Sequence, residues 1–195
     1  MVDADRLARE AVAAGTAGYR AVVDRFGPAV VAADGALDRR AVADLVFDDP
    51  PALADLNAIV HPRVRAAIVE RLAQLSGTDA VVVLAIPLLV ESGRSYGESA
   101  VVVVDCPEDE AIRRLAEDRG MDEADARRRI AAQIHRTDRL AAADMVIDNS
   151  GPQEALEPQV DRLWARLTLP TGDDPTRPGV SDRPRFEGEG REGAR

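Results

Sequence analysis

Residues 100–115 read AVVVVDCPEDEAIRRL, in which a run of valines is followed by an acidic turn and a helical pattern. The valine run is continuous rather than alternating, which is typical of a strand buried on both faces in a parallel sheet. Pro107 can begin a helix without losing a hydrogen bond, and the acidic residues after it favour the positive end of that helix. The stretch therefore predicts a buried strand that leads into a helix.

Two further apolar runs predict strands of the same kind, AVVVLAI at 80–86 and the weaker MVID at 145–148. Helical patterns fill the intervals. They are predicted at 4–14, 17–26, 38–46, 52–75, 107–119, 122–142 and 152–167. We expect the helix at 52–75 to break at His61-Pro62, because proline lacks the N–H donor that a helix interior needs. The alternation of strands and helices predicts an α/β domain of three layers with a parallel sheet.

The two ends of the chain differ in character. The opening residues MVDADRLARE predict the end of a strand followed directly by a helix. From Thr168 to Arg195 the sequence is dominated by Pro, Gly and charged residues, which bury too little apolar area to offset the entropy cost of ordering. We therefore expect one domain over residues 1–167 and a disordered tail over residues 168–195.

Charge and cysteine content exclude several classes of protein. The formal net charge of −10 disfavours capture of nucleic acid or of an anionic membrane, because both need a basic surface. The single cysteine, Cys106, has no partner for an internal disulfide, and His61 and His135 form no cluster with zinc spacing. The sequence also has no apolar run of the length of about 18 residues that a membrane span needs. We expect a cytoplasmic protein with small-molecule partners.

Three residues are candidates for chemistry on their own pattern. Asp5 stands between a strand end and a helix, so it either caps the helix or faces a ligand at the carboxyl end of the strand, where it can accept a hydroxyl proton or help hold Mg²⁺. Asp3 is expected to be structural. Arg136 and Arg139 are three residues apart on one helix face, which suits a clamp on a transferring phosphate, whereas most neighbouring arginines are expected on a solvated face.

Several segments, taken in order and at their spacing, resemble the dephospho-CoA kinase family. They are VDADRLARE (2–10), FGPAVVAADGALDRRAVADLVF (26–47), IVHPRVR (59–65), IPLLVE (86–91), VVVVDCPE (101–108), RGMDEADARRRIAAQ (119–133) and HRTDRLAAADMVIDNSG (135–151). The resemblance implies a P-loop kinase fold with a helical CoA-binding region and a lid. It also implies phosphorylation of the ribose 3′-hydroxyl of dephospho-CoA by ATP and Mg²⁺, the last step of CoA synthesis.

The resemblance assigns roles by position. Asp5 resembles the acidic residue beside the acceptor hydroxyl and is the expected general base. The residues that resemble the acceptor-side pocket are His61, Pro87, Leu88 and Leu89.

On the nucleotide side, Arg113 resembles a phosphate-facing arginine. Three residues resemble the lid that closes over the nucleotide, namely Gln133, Arg136 and Arg139. We expect Arg136 to be catalytic as well. Asn149 and Gly151 match a turn that lies near the adenine in this superfamily.

The family begins with a strand and a Gly-rich loop, whose lysine reaches the ATP phosphates. This sequence has no such segment before VDADRLARE, and it contains no lysine. We expect the first strand and its loop to be absent, as when a start site is placed too late. We therefore expect negligible kinase activity from the 195-residue form and restored activity from an extended form, in which an in-frame strand and Gly-rich loop precede Met1.

Two other functions remain open at this stage. One is a non-catalytic or regulatory protein that binds CoA or nucleotides, and it predicts dephospho-CoA binding without ATP binding in calorimetry. The other is a different small-molecule kinase, such as a nucleoside monophosphate kinase. Substrate profiling of the extended form separates that kinase from a dephospho-CoA kinase.

Overall fold

The computed structural model describes residues 1–47 and 49–168, and its strands pair in parallel. β1 (Val2–Asp3) pairs with β2 (Leu84–Ala85), and β3 (Val102–Asp105) pairs with β4 (Met145–Asp148). These four strands of the described chain form two separate two-stranded sheets. The predicted α/β class and parallel pairing are confirmed. The chain divides into two compact units, the first ending at Pro87 and the second beginning at Leu88.

The first unit is mainly helical. Its helices are α1 (Ala4–Ala11), α2 (Ala17–Phe26), α3 (Arg39–Phe47) and α4 (Pro50–Leu75). The longest of them, α4, packs against the other three. Their shared core is aliphatic and includes Leu7, Val22 and Ile68, each at most 3% exposed. Since aromatic residues are only 3% of the sequence, close packing of small aliphatic side chains stabilises this unit.

Gly18 allows α1 and α2 to approach closely. A Cβ atom on Gly18 would lie 2.1 Å from the carbonyl oxygen of Ala11, a distance at which something must shift. Thr16 caps α2 by accepting a hydrogen bond from the Tyr19 amide at 3.0 Å. The small residue and the cap together fix the turn that follows α1.

The predicted break at His61-Pro62 is wrong, because α4 runs through the proline without interruption. Pro62 removes one hydrogen bond and crowds the preceding turn. The Arg63 guanidinium donates a hydrogen bond to the carbonyl of Ile59 in that turn. Contacts of α4 with three other helices add the packing energy that keeps the helix intact.

The strand predicted at 80–86 is much shorter than expected, since β2 covers only Leu84–Ala85. Its partner β1 also covers only two residues, so the ladder between them is short. One additional hydrogen bond joins the Val2 amide to the Val83 carbonyl at 2.8 Å. The valines upstream are accordingly exposed, Val81 by 39% and Val83 by 46%.

The second unit surrounds β3 and β4. Its helices are α5 (Leu89–Ser92), α6 (Glu108–Arg119), α7 (Glu123–Ala131), α8 (Arg136–Ala141) and α9 (Glu157–Thr168). Here α6 packs against α7, while α8 contacts β3 and α9 contacts β4. The sequence did not predict α5, and α9 begins later than the predicted residue 152.

The single helix predicted over 122–142 is wrong, because the chain leaves the helix between α7 and α8. His135 has extended backbone angles (φ −56°, ψ 142°), and the Gln133 amide bonds to the carbonyl of Ile130 at 3.0 Å. No glycine or proline marks this turn in the sequence. The turn allows α8 to contact β3, a tertiary interaction that local helix propensity does not register.

The prediction that the strands are buried on both faces is only partly correct. Val103 and Ile147 are buried, but Val104 is 58% exposed and Val146 is 50% exposed. In this two-stranded sheet α8 packs against one strand and α9 against the other, so parts of each strand stay uncovered. The predicted domain over 1–167 stays a prediction, and the predicted tail lies outside the described residues apart from Thr168, which ends α9.

Candidate active site

In the first unit, Asp5 and Pro87 follow the same ends of two paired strands. Asp3 of β1 is in register with Ala85 of β2, and the two candidate residues each stand two positions further along the chain. The strands are parallel, so both candidates leave the sheet at its carboxyl edge. That edge is where open α/β sheets bind their ligands.

The structure decides which aspartate caps α1. The Asp3 side chain accepts a hydrogen bond from the Arg6 amide at 3.0 Å and is the N-cap residue. Asp5 lies in the first turn and is exposed. Among the described residues, Asp5 makes no ion pair or side-chain hydrogen bond. The predicted structural role of Asp3 is confirmed, and the Asp5 carboxylate is not used for capping.

The other acceptor-side candidates lie on both units. His61 is exposed near the middle of α4, the helix that packs against α1. Leu88 and Leu89 belong to the second unit, where Leu88 is the N-cap residue of α5 and is 51% exposed. An apolar side chain that is half exposed beside a strand end is available to contact a ligand.

In the second unit, Arg136 is anchored to a carboxylate that the sequence analysis did not select. Its Nε atom donates to the Asp105 carboxylate oxygens at 2.9 and 3.1 Å, and its Nη2 atom donates to Oδ2 at 2.5 Å. Asp105 ends β3 and is only 6% exposed, whereas the Arg136 side chain is 51% exposed. The bonds from Arg136 hold the pKa of Asp105 below its usual value of 3.8, and Asp105 in turn raises the pKa of Arg136.

The other two lid candidates lie beside this pair. Arg139 is on α8 with Arg136, and its Nη1 atom donates a weak hydrogen bond to Gln133 at 3.4 Å. The charge of Arg139 also helps to lower the pKa of Asp105. The structure therefore gathers the three predicted lid residues near the carboxyl end of β3.

Arg114 holds the predicted adenine turn, and the sequence analysis did not select this residue. Its guanidinium donates to Asn149 Oδ1 at 3.1 Å and to the Gly151 carbonyl at 2.8 Å. The Asn149 amide in turn donates to the carbonyl of Asp105 at 2.7 Å. Arg136, Asn149 and Gly151 are thus brought to one end of the second sheet. The only sequence signal for Arg114 was its place in an arginine-rich stretch.

A glutamine secures the strand that precedes this turn. Gln159 on α9 accepts a hydrogen bond from the Asp148 amide and donates to the Asp148 carbonyl, both at 2.9 Å. The Asp148 carboxylate accepts from the Ser150 amide at 2.8 Å, and this turn lowers the pKa of Asp148. Hydrogen bonds to Gln159 and to the Ser150 amide therefore hold Asp148, the residue before Asn149.

Arg113 is engaged by carboxylates of its own helix. Its Nε and Nη2 atoms donate to Glu110 at 2.8 and 2.6 Å, and its Nη1 atom donates to Glu117. Glu110 also accepts from Arg114 at 2.6 Å, and these two arginines lower the pKa of Glu110 to about 2. The predicted phosphate-facing role of Arg113 stays a prediction that requires release from these partners.

We predict that Arg114→Lys raises the KM for ATP of the extended form about tenfold and changes kcat less. Lysine keeps the charge but lacks the planar fork that reaches Asn149 and Gly151 together, and two lost hydrogen bonds correspond to roughly this factor. Arg127→Lys is the matched control, because Arg127 forms its ion pair with Glu123 on an exposed helix face. Equal KM values for the two variants would contradict a role for Arg114 in nucleotide binding.

Comparison with known proteins shows which family the sequence belongs to. A sequence model of dephospho-CoA kinase matches residues 1–154. The chain belongs to the dephospho-CoA kinase family. The dephospho-CoA kinase of Streptomyces avermitilis is 51% identical over 167 residues, which cover 86% of this chain and 81% of the relative. That of Leifsonia xyli subsp. xyli is 46% identical over 169 residues, which cover 86% and 85%. The predicted family is therefore confirmed.

Two solved structures share the fold of this chain. The crystal structure of TT1252 from Thermus thermophilus matches with a TM-score of 0.69 and 34% identity, over 86% of this chain and 84% of that one. The dephospho-CoA kinase from Campylobacter jejuni matches with a TM-score of 0.63 over the same shares, at 21% identity, and supports the fold alone. As a member of a kinase family, the protein is a transferase that uses ATP.

The structure bears on two further properties expected of a dephospho-CoA kinase. None of the described helices has both the length and the apolar character needed to cross a membrane. Within residues 1–47 and 49–168, no three His, Cys, Asp or Glu side chains are grouped so that they could hold a metal ion. Magnesium that arrives with a nucleotide needs only one or two carboxylates besides phosphate oxygens and waters. The carboxylate of Asp5, which is exposed and does not cap α1, could be one of these carboxylates.

Proposed function

We propose that the protein transfers the γ-phosphoryl group of ATP to the ribose 3′-hydroxyl of dephospho-CoA, which yields CoA in the last step of CoA synthesis. The observation that carries the proposal is the sequence match to a curated dephospho-CoA kinase at 51% identity over 86% of the chain. The two groups of residues at strand ends support the chemistry.

On the acceptor side, Asp5 is the general base. Its carboxylate accepts the proton of the 3′-hydroxyl as the oxygen forms a bond to the γ-phosphorus, and the bond to the β–γ bridging oxygen breaks to release ADP. Capping of α1 by Asp3 supports this role, because the Asp5 carboxylate is then not needed as the helix cap. His61, Pro87, Leu88 and Leu89 contact dephospho-CoA, and the exposed Leu88 supplies apolar surface for it.

On the nucleotide side, Arg136 neutralises negative charge on the transferring phosphoryl group, assisted by Arg139 and Gln133. The side chain of Arg136 is half exposed, and a buried carboxylate orients its guanidinium. Alignment of the guanidinium with an incoming phosphate therefore costs little entropy. Asn149 and Gly151 lie near the adenine, and Arg113 faces a phosphate. Asp5 would also help to hold the magnesium ion that accompanies ATP, and the ion would offset negative charge on the phosphates.

The working compartment and partners follow from composition. With Cys106 as its single cysteine the protein needs no oxidising environment, and its net charge of −10 offers no general surface for nucleic acid or anionic lipid. We place the reaction in the cytoplasm, with ATP and dephospho-CoA as partners.

The test measures MgATP-dependent phosphorylation by the extended form on several acceptors. Dephospho-CoA should gain one phosphoryl group at the 3′-oxygen, and its 3′-deoxy analogue should gain none. Nucleoside monophosphates serve as competing acceptors, and preferred phosphorylation of these would overturn the proposal. Calorimetry on the 195-residue form with dephospho-CoA and ATP tests binding independently of turnover.

A further inference from the structure

The pair formed by Asp105 and Arg136 joins two residues that are 31 positions apart in the sequence. Asp105 is the buried charged residue of the described chain, at 6% exposure. Its carboxylate accepts from two N–H groups of one guanidinium, and the single Nε–H is shared between both oxygens. Burial of a carboxylate is costly unless it is paired and hydrogen-bonded. The geometry therefore gives Arg136 a fixed and strong anchor.

The anchor uses only part of the guanidinium. An arginine carries five N–H donors, and the contacts with Asp105 use two of them, the Nε–H and one N–H of Nη2. Within the part of the chain that the structure describes, Nη1 donates to no other residue. Because the guanidinium is planar, fixing one edge also fixes the direction of the opposite N–H groups. The half-exposed side chain thus presents unused donors in a set orientation.

The same aspartate is joined to the predicted adenine turn through its backbone. The Asp105 carbonyl accepts a hydrogen bond from the Asn149 amide at 2.7 Å, and Arg114 holds Asn149 from its other side. The charges of Arg136 and Arg139 of α8 lower the pKa of the Asp105 carboxyl, whereas the charge of Asp148 of β4 raises it. A displacement of Asp105 would disturb both the arginine and the turn.

We propose that Asp105 is a positioning residue for phosphoryl transfer, whose buried carboxylate orients the Arg136 guanidinium so that its free donors meet the phosphates of ATP. This inference rests on the proposed function. Asp105 does not touch the nucleotide; it acts through Arg136.

The test is a double-mutant cycle in the extended form, with kcat and the KM for ATP measured separately. Asp105→Asn keeps the size of the side chain but removes the charge, and it should lower kcat/KM for ATP about 10- to 100-fold, the range of one charge-assisted hydrogen bond. In the background of Arg136→Gln, the same substitution should change kcat/KM less than about twofold. Asp125→Asn is the control, because Asp125 pairs with Arg128 on an exposed face.

A second readout uses the 195-residue form and does not depend on turnover. The Arg136 Nε–H proton, whose NMR signal is identified by its loss in Arg136→Lys, should exchange slowly with water. In Asp105→Asn its exchange should become fast. If Asp105→Asn does not fold, Asp105→Glu replaces it in both experiments. This variant keeps the charge but displaces it, so it should lower kcat/KM about three- to tenfold beside Arg136 and less than about twofold beside Arg136→Gln.

The outcomes separate the two proposals. Additive effects of Asp105→Asn and Arg136→Gln, or a drop no larger than that of Asp125→Asn, would overturn the positioning role while the kinase activity stands. An extended wild-type form that phosphorylates no dephospho-CoA would overturn the proposed function and this inference with it. Non-additive kinetics together with faster exchange at Arg136 would support the role of Asp105.

Discussion

Arg136→Gln is expected to lower the kcat of the extended form by about 10³-fold, the lower end of the effect of an arginine that stabilises the charge of a transferring phosphoryl group. Glutamine has a similar reach but no charge and no fork, so it replaces neither the bond to the phosphate nor the bonds to Asp105. The rate of phosphorylation of dephospho-CoA at saturating MgATP measures this effect.

The same substitution should also change how stability depends on pH. In the wild type the pKa of Asp105 is lowered from 3.8, chiefly by its bonds to Arg136. The folded state therefore binds this proton less readily than the unfolded state, so the pair stabilises the protein above about pH 4 and loses this effect as the pH falls through the lowered pKa. Without Arg136, the effect of burial, which raises the pKa of Asp105, is no longer offset by these bonds.

Melting curves measured across pH check this consequence. The melting temperature of Arg136→Gln should lie below that of the wild type at pH 7, and the gap should narrow as the pH falls below about 4. Arg128→Gln is the matched control, because it removes an exposed ion pair with Asp125 and should leave a small gap that varies little with pH. A gap for Arg136→Gln that is constant from pH 7 to pH 3 would contradict the anchoring of Arg136 by Asp105.

Asp5→Asn is the second substitution with a large expected effect, a loss of kcat of about 10²- to 10⁴-fold in the extended form. The amide has the same size and still accepts hydrogen bonds, but it does not take up the hydroxyl proton. The KM for dephospho-CoA should change much less than kcat, because contacts with the acceptor are retained. Rates at saturating concentrations of both substrates, together with the KM for dephospho-CoA, measure this split.

The neighbouring aspartate provides the control for Asp5. Asp3→Asn keeps a good N-cap residue on α1, so it should preserve both stability and turnover. Asp3→Ala removes the cap and should cost about 1 kcal/mol of stability, whereas Asp5→Asn should leave the melting temperature nearly unchanged. If Asp5→Asn instead lowers the melting temperature and keeps its turnover, Asp5 is structural and the general base lies elsewhere.

Local patterns predicted the elements well where the interactions are local. The valine run indicated β3 and the apolar run MVID indicated β4, and the strand at 145–148 has the predicted bounds. Helices α2 and α6 lie within a residue of their predicted limits. The failures occurred where tertiary contacts override propensity, as at Pro62, where packing of α4 keeps the helix continuous, and at Ile134 and His135, where the chain turns without a helix breaker.

For the candidate site as well, some features could be predicted from the sequence and others only from the folded structure. The sequence by itself determined the family and the α/β class. It also made Arg136, Arg139 and Asp5 candidates, and the resemblance to the family assigned their expected roles. Only the tertiary structure decided that Asp3 caps α1 and that Asp105 holds Arg136. It also decided that Arg114, 35 positions away from Asn149, holds the turn. Hydrogen bonds between distant residues depend on the folded path of the chain, which local periodicity does not encode.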